Sequence, residues 1–279
     1  MLERILRFYA EFPSVSYATL ALLLISLSAA LLGVPLVLKR YSMIGDGLSH
    51  VSFGAASLAT ALGFFAPMYV ALPLTILASV ILLGLREEAR DKADALIATV
   101  SSASLVIGYL ALSLFPPEGG SAADACANLF GQGLLSVDGG DVTVCAILAL
   151  AVLLTFILCY NRIFAVTFDE SHAMSSGIHA RFYNILLAVI TGVVIVISME
   201  LVGALLISAL IVFPAMSAMK LFRGFRSVVI CAAIISVLSA LSGLLISLVT
   251  SAPSGAVVVI VNIIIFALFS ALAAIRARK

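Results

Sequence analysis

An all-α bundle of membrane-spanning helices is the fold class this sequence predicts, and three features of it carry the prediction. Of its 279 residues 63% are hydrophobic and 10% charged, far from the balance of a water-soluble domain. The apolar residues gather into runs close to the 20 or so needed to cross a bilayer core as a helix. The charges lie between those runs, with a net charge of only +1, which gives no basis for nucleic-acid binding.

The runs place spans at 17–38, 46–65, 67–85, 94–115, 141–160, 183–200, 203–220, 227–249 and 255–275, nine in all, with eight as the alternative count. The first is too long for the apolar region of a cleaved signal peptide and is expected to stay in the membrane. Turn residues separate the others: "GFFAP" around Pro67, "PPEGG" from Pro116 and "TSAPSG" from Thr250. The narrowest junction runs from Met199 to Gly203, where two spans meet with almost no loop. With nine spans and a cytoplasmic C-terminus, 13 of the 15 lysines and arginines fall on the cytoplasmic side, and only Arg4 and Arg7 lie outside. The whole chain, 1–279, reads as a single membrane domain containing a cytoplasmic loop at 161–182.

Stretches such as "GAASLATALG" are rich in small residues, which let helices approach closely where lipid removes the hydrophobic drive to associate. The four cysteines, Cys126, Cys145, Cys159 and Cys231, show no CxxC spacing, so neither a disulfide framework nor a zinc knuckle is expected. There is no GxxxxGK[ST], no HExxH and no GxSxG, which removes a P-loop, the commoner zinc proteases and the serine hydrolases. If transport here is driven by ATP, another chain hydrolyses it.

Several residues remain as candidates for chemistry. Asp46 and His50, spaced i, i+4, share a helix face with their side chains rooted roughly 6 Å apart. A carboxylate oxygen and an imidazole nitrogen together suit Zn²⁺, Mn²⁺ or Fe²⁺. The competing reading makes Asp46 a helix cap and His50 an interfacial hydrogen-bonding group. Glu200, in "VISMELVGALL", is either an interfacial carboxylate or an ion contact at the outer mouth. In the long cytoplasmic loop, "DESHAMSSGI" has the shape of a short helix, with Asp169 and Glu170 at its start and Gly177 near its end. Pro214 sits inside an apolar run, where it removes a backbone donor and is expected to kink the helix.

Taken together, "GDGLSHVSFGAA", "ANLFGQGLLSV", "DESHAMSSGI" and "VGALLISALIVFPAMSAMKL", in that order, resemble the membrane permease subunits of bacterial ABC importers for zinc, manganese and iron. The resemblance implies a multi-pass protein of the bacterial inner membrane with no permanent cofactor. Its implied partners are a second copy of the chain, a separate ATPase dimer and an extracytoplasmic metal-binding protein. It places Asp46 and His50 on the path of the metal. It makes the "DESHAMSSGI" segment, through Asp169, Glu170, Ala173 and Gly177, the helix that meets the ATPase. Zinc-type members often carry a further histidine near the stretch that reads "VSSASLVIG" here, so the metal is left open. A secondary carrier using Asp46 or Glu200 as a proton relay, an intramembrane enzyme, and a permease for a metal chelate are the alternatives.

Overall fold

In the computed structural model, residues 13–64, 66–84, 93–116, 137–250 and 252–277 are described. "ANLFGQGLLS", "REEARDK", Cys126, Arg4 and Arg7 lie outside them. The described residues form ten helices: α1 (Pro13–Leu38), α2 (Ile44–Ala61), α3 (Met68–Leu83), α4 (Ala93–Leu114), α5 (Gly139–Phe168), α6 (Glu170–Ser175), α7 (Ala180–Val202), α8 (Ala204–Leu221), α9 (Phe225–Thr250) and α10 (Ser254–Ala277). Each of the nine expected spans has its helix. Seven of these helices are long and apolar enough to cross a membrane, and α3 is a shorter apolar helix. The other helix, α2, is diluted by Asp46, His50 and five serines and glycines before Ala55.

The helix α1 is the central column, with 78% of its apolar window buried, whereas α10 has 11% buried and faces outward. Around α1 pack α5, α8, α9 and α7, while α2 pairs with α4, α3 with α7, and α8 with α10. Glycine makes the tightest of these contacts. A Cβ on Gly33 of α1 would lie 2.0 Å from the carbonyl oxygen of Ile211 in α8, and one on Gly54 of α2 would lie 2.3 Å from that of Ser104 in α4. Backbone lies against backbone at both places, which is how helices gain contact in lipid without an apolar driving force.

Two boundaries differ from expectation, each for a local reason. Helix α5 starts at a reciprocal cap, in which Asp138 accepts from the Asp141 amide at 2.9 Å and Asp141 accepts from the Asp138 amide at 3.1 Å. It then runs to Phe168, so residues 161–168 are helix rather than loop. Its 30 residues measure about 45 Å, longer than the roughly 30 Å hydrocarbon core. Phe164 and Phe168 near its end pack on Phe225 at the start of α9, with ring centroids 5.4 and 6.1 Å apart. The second boundary is the α7–α8 junction, which takes a single residue. Gly203, at φ 88° and ψ 156°, occupies backbone space essentially closed to any side chain.

Candidate functional site

Helix α2 begins at Met43, the N-cap, with no side-chain capping hydrogen bond. Asp46 therefore does not cap it, although its carboxylate lies in the first turn where the helix dipole favours a negative charge. It faces His50 instead, with Nε2 of the imidazole 3.5 Å from Oδ1 of the carboxylate. That separation is wide for a hydrogen bond and fits two ligands of one ion. With metal bonds of 2.0–2.2 Å it subtends an angle of about 115° at the metal, close to tetrahedral. The other imidazole nitrogen, Nδ1, is buried with no hydrogen-bond partner among the described residues. Asp46 is the more open of the two, its side chain 37% exposed against 16% for His50.

Asp46 opens into a cavity of about 590 Å³ between α2, α8 and α10. Ser42 and Ser208 supply further oxygens on its wall, and Val212, Phe213 and Val259 make most of the rest apolar. Gly45 sets the depth of the pair, because it packs on Ser208 and Ile211 in the middle of α8. Among the described residues no three of His, Cys, Asp and Glu come together, so these residues offer an ion two strong ligands.

The structure does not bring Glu200 or Pro214 to this pair. Glu200 stands in the last turn of α7, within electrostatic reach of Asp141 at the start of α5, and does not line the cavity. Pro214 is buried in the interior of α8, next to the cavity-lining Phe213, and the helix runs through it from Ala204 to Leu221. Its missing N–H leaves the Leu210 carbonyl without the usual helical donor.

The short helix expected from "DESHAMSSGI" is α6. Asp169 caps it, accepting from the His172 amide at 2.8 Å. It ends in a Schellman motif, with the Ile178 amide on the Ala173 carbonyl at 3.0 Å and the Gly177 amide on that of Met174 at 3.0 Å. Gly177 takes the left-handed position at φ 81°. Ala173 is buried against Val166, Ala180 and Tyr183, which fixes α6 to the end of α5 and the start of α7. Glu170 accepts from Nδ2 of Asn184 in α7 at 2.9 Å. Asn184 carries no motif, and nothing in the sequence singles it out.

A model of the ABC 3 transport family matches residues 11–273. The chain belongs to that family. It is the membrane-spanning component of an ABC transporter rather than the ATPase, in keeping with a sequence that has no P-loop. Among its relatives is the high-affinity zinc uptake system membrane protein ZnuB of Haemophilus influenzae, 30% identical over 78% of this chain and 82% of that one. Another is the manganese import system permease protein ScaB of Streptococcus gordonii, 25% identical over 84% of this chain and 82% of that one. The fold matches that of PsaBC from Streptococcus pneumoniae, solved in complex with Fab, with a TM-score of 0.82 over 96% of this chain and 95% of that one, at 23% identity.

Proposed function

We propose that this ABC 3 family member is the permease of an ATP-driven importer for a divalent transition metal: zinc, manganese or iron. The observation that carries the reading is the Asp46–His50 pair, with ligand atoms 3.5 Å apart at the edge of a cavity formed by three helices. Zinc and manganese are named for the two relatives, and an oxygen–nitrogen donor set suits all three ions.

One chain supplies half of a four-ligand site, and a second copy related by a two-fold axis would supply the other half. The chain thus works as a homodimer, with two copies of a separate ATPase on its cytoplasmic face and an extracytoplasmic protein delivering the metal. The positions of the cations support a cytoplasmic C-terminus in the bacterial inner membrane. Helix α6, with Asp169, Glu170, Ala173 and Gly177, is the surface that meets the ATPase. Asp46 and His50 hold the ion only in passing, because a site that bound it tightly would stall transport. Glu200 and Asp141 lend the outer end negative charge that draws the cation in, and Pro214 gives α8 a weak point beside the cavity.

The test is total zinc, manganese and iron in a host stripped of its own importers and supplied with this chain, its ATPase and its binding protein. One metal is expected to rise with the wild type and not with Asp46→Ala/His50→Ala at equal membrane expression. Equal accumulation by both would remove the pair from the pathway.

A further inference from the structure

A partly buried polar bridge ties α6 to the turn that leads into the Asp46–His50 pair. Lys39, the residue after α1, is only 9% exposed, and its ammonium donates to Oδ1 of Asn184. The Asn184 amide nitrogen donates in turn to Oε1 of Glu170, the first residue of α6, at 2.9 Å. An ammonium can only donate and a carboxylate can only accept, so the two partners fix which way the amide points. A primary amide, with an acceptor and a donor on one short side chain, joins the two charges. Leu36, Leu83 and Leu187 wall in the Lys39–Asn184 contact, and such low-dielectric surroundings strengthen it.

The turn at Lys39 is stiff. Helix α1 closes with its own Schellman motif, the Tyr41 amide on the Leu36 carbonyl at 3.0 Å and the Arg40 amide on that of Val37 at 3.1 Å. The left-handed position usually given to glycine is held by Arg40, at φ 65°. Tyr41 is 1% exposed, and α2 begins at Ile44. Little slack therefore separates Lys39 from Asp46.

We propose that Asn184 is a positioning residue, through which the placement of α6 sets the α1–α2 turn and with it the geometry of the Asp46–His50 pair. This rests on the preceding reading, in which α6 meets the ATPase and the pair meets the metal. Movement of α6 pulls Glu170, the bridge carries the pull to Lys39, and the stiff turn delivers it to the start of α2.

The experiment uses the complete transporter, permease with ATPase and metal-loaded binding protein, in proteoliposomes. ATP hydrolysis and metal uptake are measured together, alongside Mn²⁺ bound to the nucleotide-free complex. Asn184→Asp keeps the size of the side chain and the contact with Lys39 but sets a carboxylate against Glu170. It is expected to lower metal imported per ATP about fivefold or more while hydrolysis and Mn²⁺ binding persist. Glu170→Gln added to it restores a donor facing the new acceptor, and the uptake ratio is expected to recover. A role confined to stability would not be rescued in the ratio. If the wild type imports metal and Asn184→Asp does so at an unchanged ratio, or if the second substitution fails to restore it, the inference is overturned and the importer reading stands. If the wild type imports none of the three metals, the importer reading falls and takes the inference with it.

Discussion

Replacing Gly33 with alanine tests the central contact of the bundle. The new Cβ would sit 2.0 Å from the Ile211 carbonyl oxygen and 2.9 Å from its carbon, whereas ordinary contact begins near 3.4 Å. Both obstacles are backbone, so no side chain can swing away, and α1 must separate from α8 by about 1.4 Å. Overpacking of this kind costs about 1–3 kcal/mol, which lowers the melting temperature of a chain this size by roughly 2–5 °C. The disturbance reaches the Asp46–His50 pair as well, because Gly45 packs on the same Ile211. The assay is thermal unfolding of the detergent-purified transporter, with metal uptake at matched expression. Gly139→Ala is the control, since its Cβ would meet nothing nearer than Tyr17 at 4.0 Å. Gly33→Ala is expected to melt earlier and import less, with the control unchanged. A Gly33→Ala protein as stable and active as the wild type would refute the close α1–α8 approach and the reasoning built on it.

Other consequences are equally open to measurement. Single substitutions Asp46→Ala and His50→Ala remove the proposed direct ligands and are expected to lower metal uptake at least as far as loss of an outer-shell partner does, roughly 10–100-fold; cellular metal analysis reads this out. Asp169→Ala removes the cap of α6, at a cost of about 1 kcal/mol, so affinity for the ATPase should fall about fivefold while Asp169→Asn keeps it. Titration of detergent-solubilised permease with ATPase would show this, and equal affinities would mean that α6 does not form that contact. Glu200→Gln should raise the half-saturating concentration for uptake without changing the maximal rate, and the difference should shrink in high salt; a fall in the maximal rate alone would contradict electrostatic attraction at the outer end.

The Asp46–His50 pair illustrates how far local pattern reaches. An i, i+4 spacing on a helix places two side chains on one face wherever the helix lies, so their proximity was legible in advance. Whether Asp46 capped that helix was not, because a cap depends on where the helix starts, and it starts at Ile44 with Met43 before it, which leaves Asp46 inside the first turn. The short loop helix was legible for the same local reason: its acids precede its apolar anchor Ala173 and Gly177 follows. The eight further residues of α5 were not legible as part of that span, because Asn161 and Arg162 interrupt the apolar run without ending the helix.

What the sequence determined by itself was the set of spans and the separation of charge from them. Lipid offers no hydrogen-bond partners, so each crossing segment must satisfy its backbone internally and declare itself by composition. Only the tertiary structure decided which helices touch. Lys39 meets Asn184 across 145 residues, and Gly33 meets Ile211 at the distance of bare backbone. In a bilayer every apolar face is equally at ease, so helix partners are chosen by shape, by small residues and by a few buried polar groups. Those fits exist between helices rather than within any one of them, and a single run of sequence carries no mark of its counterpart.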